Sequence, residues 1–157
     1  MALQQAIIDK AQDVLAEWAA WATEEMKKNL NDRLKYPDSL LGQSITFDGT
    51  KATANGVFVN WELPDYAIYV DLGVKGVNNR SKTYGNFAFK NLHVSSGFIK
   101  SLENYITRKG IKVRNDRKES KKTVLDRRKA VAFAMARAIK KKGITGTRFY
   151  SDVFNDK

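Results

Sequence analysis

The chain has 157 residues, with 28 Lys or Arg, 17 Asp or Glu, one His and no Cys, and its net charge is +11. This length predicts a single domain over residues 1–157, and the lack of cysteine excludes disulfides, thiolate nucleophiles and sulfur-ligated metals. The positive charge is concentrated at residues 108–142, where 15 basic residues accompany three acidic ones. Such a segment favours a polyanionic partner, whereas the alternative is a solvated helix face followed by a basic loop.

The first predicted element is one long helix from Leu3 to about Tyr36, which Pro37 ends. Large apolar residues recur in it at steps of three, four and seven, as expected for a helix with one buried face. They are Leu3, Ile7, Val14, Trp18, Trp21, Leu30 and Leu34. Because aromatic pairs on helices usually pack inward, we expect Trp18 and Trp21 in the core.

Strand-type composition follows the helix. The Asp48-Gly49 pair lies between two short extended runs and predicts a hairpin turn. The Gly56–Leu63 run continues the pattern, Pro64-Asp65 interrupts it, and Tyr66–Leu72 resumes it. These runs predict three or four mostly antiparallel strands in one small curved sheet.

A loop rich in Gly, Asn, Ser and Lys occupies residues 73–95, and a loop of this length is expected to bind something, so we predict an interface loop. A short helix then begins at Ser96 as N-cap and stops at Gly110. Residues 111–122 are charged and aperiodic, which predicts a basic linker.

A final helix is predicted to start at Thr123, which forms a capping box with Asp126, and to stop at Gly143. Its segment 130–139 is apolar on nearly all sides and is expected to be buried centrally. Residues 144–157 carry aromatic side chains without helical strength, so we expect a C-terminal arm that docks on its own core or on a neighbouring subunit. The predicted fold class is α+β.

The residue types of most active sites are missing. His93 is the one histidine and reads as structural, and Gly73, Gly76 and Gly85 lack the spacing of a phosphate-binding loop. A metal-dependent nuclease would need carboxylates near a lysine, but Asp71 and Lys75 are four residues apart rather than two. We therefore predict no catalytic residue, no metal ligand, no cofactor and no enzymatic activity.

The order of several short motifs resembles the neck and tail-completion family of tailed bacteriophages, also called tail-terminator or minor tail proteins. The motifs are Tyr69–Gly76 (YVDLGVKG), Phe87–Lys90 (FAFK), Tyr105–Ile111 (YITRKGI), Ala134–Ile139 (AMARAI) and Lys142–Thr147 (KGITGT). The resemblance covers about residues 3–150. It implies a structural virion protein, assembled in the host cytoplasm, that forms a ring, often a hexamer, at the neck or top of the tail. Its partners would be copies of itself, tail-tube and head-connector proteins, and phage DNA passing through the lumen, with no membrane.

This expectation assigns two sets of residues. The predicted assembly interface consists of Asp71, Gly73, Lys75, Gly76, Arg80, Phe87, Phe89, Phe149, Tyr150 and Phe154. The predicted contacts to the lumen or to an acidic partner ring are Arg114, Arg117, Lys118, Lys121 and Lys122. The loop at residues 78–80 and the basic linker depart from the family's plainest pattern. The alternative function is a nucleic-acid-binding accessory protein that uses residues 108–142.

Overall fold

A computed structural model describes residues 2–34, 39–53, 55–78, 81–113 and 124–155. The elements are α1 (Ala2–Leu34), α2 (Leu40–Ser44), β1 (Thr46–Thr53), β2 (Gly56–Glu62), α3 (Ala67–Leu72), β3 (Val74–Lys75), α4 (Ser96–Arg108), α5 (Val124–Lys142), β4 (Gly143–Ile144) and α6 (Ser151–Asn155). They confirm the predicted α+β class, with its long N-terminal helix, small antiparallel sheets and shorter C-terminal helices.

The chain divides into two compact units. The first unit comprises Met1–Leu72 and Gly146–Lys157, and the second comprises Gly73–Thr145. The second unit begins where the interface loop was predicted to begin, and it ends within two residues of the predicted arm. The single domain over residues 1–157 stays a prediction.

The core of the first unit lies against the C-terminal half of α1. Ala22, Met26 and Leu30 are almost completely buried at spacings of three and four residues, so they occupy one face of the helix. The buried residues that complete this cluster come from α2, α3 and the C-terminal segment: Leu41, Ile45, Ala67 and Phe149. The predicted arm thus docks on its own unit, and residues 151–155 form a short helix where none was expected.

The β1–β2 hairpin turns later than the sequence predicts. Its last pair is Thr53 with Gly56, so the turn is not at Asp48-Gly49. Phe47 pairs with Trp61 and Thr50 with Val59, which leaves two residues of β1 opposite one residue of β2. This is a β-bulge, and the φ of 91° at Gly49 is a conformation that glycine adopts easily.

The Tyr66–Leu72 segment is helical, which corrects the predicted strand. The carbonyl oxygens of Pro64 and Tyr66 accept local hydrogen bonds from the N–H groups of Ala67 and Val70, so the backbone is satisfied without a partner strand. As a result, the described strands form two separate two-stranded sheets, β1–β2 and β3–β4, instead of one curved sheet.

In the second unit, α4 packs against α5. The Ser95 hydroxyl accepts the N–H of Phe98, which places the N-cap one residue before the predicted Ser96. Gly110 (φ 59°) and Gly143 (φ 88°) both follow helix ends, as predicted. Thr123 lies outside the described residues.

The prediction for the apolar middle of α5 is wrong. Ala132 and Ala136 are fully buried, but Phe133 is 43% exposed, and Ala134 and Ala138 are exposed as well. The reason is that one neighbouring helix covers only one side of a helix, and within its unit α5 packs mainly against α4.

Candidate interaction surfaces

The most strongly buried polar group among the predicted site residues is the Asp71 carboxylate. It lies in the last turn of α3 and is 0% exposed. Its Oδ1 accepts the N–H groups of Tyr150 (3.0 Å) and Ser151 (3.3 Å), and its Oδ2 accepts the Ser151 hydroxyl proton. These bonds cap the first turn of α6 with a negative charge, which complements the helix dipole.

Two other predicted assembly residues share this region of the first unit. The Phe149 ring is fully buried and meets the Tyr150 ring edge-on, with a centroid separation of 5.2 Å. Burial and the nearby Asp71 carboxylate raise the pKa of Tyr150 above its usual value of 10.0. Asp71 and Phe149 therefore hold the C-terminal segment on its own unit, and any role in assembly would act through the position of that segment.

The remaining C-terminal residue of the predicted interface, Phe154, belongs to an aromatic cluster on the same unit. Its ring lies 5.3 Å from that of Trp61 and 6.0 Å from that of Trp18, centroid to centroid. Trp18 is 38% exposed despite these contacts, and Trp21 is 55% exposed. The expectation that both tryptophans lie in the core is therefore wrong for both, although Trp18 contacts two other aromatic rings.

In the second unit, the predicted glycine motifs meet at one backbone crossing. A Cβ atom on Gly76 would lie 2.3 Å from the carbonyl carbon of Lys142, and one on Gly143 would lie 2.3 Å from the carbonyl oxygen of Val74. Such distances cannot accommodate a side chain, so both glycines are needed for the β3–β4 pair to form at this distance. Gly73 (φ 78°) leads into the same crossing.

The FAFK segment lies beside this crossing. The N–H of Lys75 donates to the carbonyl of Phe87 (2.8 Å), and the N–H of Phe89 donates to the carbonyl of Lys75 (2.9 Å). The Lys140 ammonium lies 5.6 Å from the Phe89 ring centroid and donates to the carbonyl of His93. Lys75, Phe87 and Phe89 are thus brought together in the second unit. Arg80 and the five predicted lumen residues lie outside the described residues: Arg114, Arg117, Lys118, Lys121 and Lys122.

An uncovered apolar surface lies on α1, at residues for which the sequence predicted a buried helix face. Leu3, Ile7, Val14 and Trp21 are between 53% and 77% exposed. At 100° per residue they fall within about 40° of one another and about 140° from the buried face of the helix. We call these four residues the α1 stripe. The spacing of four, seven and seven residues is present in the sequence. The sequence-based prediction, however, placed these residues on the same buried face as Leu30 and Leu34.

The half of α1 that carries the stripe is acidic. Asp9, Asp13 and Glu17 are all exposed and follow one another at steps of four residues, and at 100° per residue Glu17 lies nearest to the stripe and Asp9 farthest from it. Lys10 is the single basic residue between positions 3 and 21, so this half of α1 carries a net charge of −2. Exposed apolar side chains beside like charges are typical of a surface that meets a partner.

The second unit exposes a different kind of surface on α5. The exposed residues between positions 126 and 141 of α5 define the outer α5 face: Asp126, Lys129, Ala130, Phe133, Ala134, Arg137, Ala138 and Lys141. Ala130, Ala134 and Ala138 form one row along it at steps of four residues, and Phe133, Arg137 and Lys141 form the adjacent row. A helix that approached this face could come close to its backbone at the alanines.

The charge of the chain is divided between the units. Residues 73–145 contain 20 Lys or Arg and four Asp or Glu, a net charge of +16. The first unit contains eight basic and 13 acidic residues, a net charge of −5. The predicted basic segment is therefore part of a unit that is basic as a whole.

Within the described residues, no three His, Asp or Glu side chains lie together in a way that could hold a metal ion. No helix in the same part of the chain is long and apolar enough to cross a bilayer. Comparison with known proteins found no matching family model, no matching curated protein and no matching solved structure.

Proposed function

We propose that this chain is a structural subunit of a tailed-phage virion that assembles into a ring at the neck or the top of the tail. DNA would pass through the lumen, and tail-tube and head-connector proteins would be its neighbours. The proposal gives the chain no catalytic role and no cofactor. The observation that carries it is the α1 stripe, since four large apolar side chains without cover favour association with another protein surface.

The division of charge supports the second half of the proposal. A ring around DNA benefits from a basic lining, and the second unit carries +16 while the first carries −5. In this arrangement the second unit would face the lumen. The motif order that resembles the neck and tail-completion family supports the same placement.

Light scattering coupled to size-exclusion chromatography, with negative-stain microscopy, tests the ring. We expect a closed oligomer with a central hole. The Val14→Asp variant should dissociate it without loss of helical circular dichroism, because Val14 is 53% exposed and its loss costs the monomer little. Phe58→Asp is the matched control, since Phe58 on β2 is 49% exposed. A wild-type chain that stays monomeric at high concentration would refute the proposal.

A second candidate function is nucleic-acid binding by an accessory protein, which the +16 charge of the second unit favours. Fluorescence anisotropy with a short duplex DNA over a range of salt concentrations tests it. Binding should weaken as salt rises, and Arg137→Ala, if it removes one phosphate contact, should lower the slope of log K against log salt by about 0.9. Absence of binding at low ionic strength would eliminate this candidate.

A further inference from the structure

We propose that the α1 stripe of one subunit packs against the outer α5 face of the next subunit. This inference rests on the proposed function, because it names the contact through which the subunits of the ring associate. The occupant of the stripe is therefore a second copy of this chain, and the contact joins the first unit of one copy to the second unit of its neighbour.

The two surfaces match in shape. The stripe presents large side chains (Leu3, Ile7, Val14 and Trp21), whereas one row of the outer α5 face presents alanines at positions 130, 134 and 138. Large residues on one helix pack well between small residues on another, because the axes can approach closely. Residues 3–21 of α1 span about 27 Å and residues 126–141 of α5 about 23 Å, so the surfaces are similar in length.

The two surfaces match in charge as well. The exposed charged residues at positions 3–21 of α1 are Asp9, Lys10, Asp13 and Glu17, with a net charge of −2. Those on the outer α5 face are Asp126, Lys129, Arg137 and Lys141, with a net charge of +2. Packing α1 against α1 of another copy would bring two segments of charge −2 together, which like-charge repulsion disfavours. The stripe is therefore complementary to the outer α5 face and not to itself.

The geometry of this contact has a consequence for assembly. When two different surfaces of the same chain bind each other, subunits join head to tail into a row. The subunit at each end of the row has one surface that is still unpaired. Such heterologous contacts close into a ring when the rotation between neighbours divides a full turn. The proposed pairing thus accounts for ring formation with one repeated interface.

Disulfide cross-linking tests the pairing cleanly because the chain has no cysteine of its own. Val14→Cys is made in one preparation and Ala134→Cys in a second, which carries a size tag at its C-terminus. After mixing and mild oxidation we expect a covalent heterodimer. Its yield should be on the order of tenfold above that of Lys51→Cys mixed with Ala134→Cys, because the contact holds the paired thiols at high effective concentration. Lys51 is the control because it is exposed on β1.

The double variant, Val14→Cys with Ala134→Cys, should give a ladder of covalent oligomers that ends in a closed species, whose size counts the subunits. Cross-linking of Val14→Cys to itself would overturn the inference, and so would a disulfide within one chain. A ring that forms without the heterodimer refutes the pairing alone. Absence of any oligomer refutes the proposed function.

Discussion

Replacing Asp71 by Ala removes the acceptor that holds the C-terminal segment on the first unit. The carboxylate is fully buried and accepts the N–H groups of Tyr150 and Ser151 and the Ser151 hydroxyl proton. Alanine leaves these three donors without their acceptor and removes the charge that caps α6. Phe149, which directly precedes Tyr150 and Ser151, belongs to the core. We therefore expect the substitution to weaken core packing as well as the attachment of α6.

The magnitude follows from these bonds. A hydrogen bond to a charged group contributes about 1.5–3 kcal/mol. The three bonds share one carboxylate, whose desolvation in the folded chain offsets part of their contribution. We expect Asp71→Ala to lower the free energy of unfolding of the first unit by about 3–5 kcal/mol. Asp71→Asn keeps one oxygen acceptor and should lower it by only about 1 kcal/mol.

Urea denaturation followed by tryptophan fluorescence measures this difference, since all three tryptophans belong to the first unit. Hydrogen exchange at the amides of Tyr150 and Ser151 locates it. In Asp71→Ala these amides should exchange faster than in Asp71→Asn. Equal midpoints for the two variants, or unchanged exchange, would show that the carboxylate does not hold the segment.

Three further predictions concern other parts of the fold. Gly76→Ala should lower the free energy of unfolding, measured by thermal denaturation, by about 3 kcal/mol, because the added Cβ would overlap the end of α5. Gly97→Ala is the control: it has open space around it, and it should raise the free energy of unfolding by about 0.5 kcal/mol. Ala136→Leu should cost about 1–3 kcal/mol in chemical denaturation by overpacking the buried side of α5. The raised pKa of Tyr150 means that the folded chain holds the phenol proton more tightly than the unfolded chain. Its contribution is therefore complete below the unfolded pKa near 10 and is lost as the pH rises through the folded pKa. Tyr150→Phe should flatten the decline in unfolding free energy above about pH 10, as measured by urea denaturation at a series of pH values.

Several features of this protein follow from the properties of residues that are neighbours in the sequence. The spacing of apolar residues predicted α1 and α4, and the glycines at 110 and 143 predicted the ends of α4 and α5, because helix periodicity and left-handed backbone are properties of neighbouring residues. The α+β class and the concentration of positive charge in one part of the chain were equally available from the sequence. Each depends on residue order and composition alone.

Tertiary structure decided the rest. Tyr66–Leu72 is helical instead of extended, and Asp48-Gly49 forms a bulge instead of a hairpin turn. A short run of strand-type residues forms a strand only where the fold places another strand beside it to share backbone hydrogen bonds. The two apolar series of α1 separate into a buried face and the α1 stripe only once β1, β2 and the C-terminal segment cover one side. Likewise Asp71 holds its own C-terminal segment because the chain folds back across 79 residues to meet it. Packing between segments that are distant in the chain cannot be read from the order of neighbouring residues. That packing also determines which surfaces stay exposed and can bind a partner.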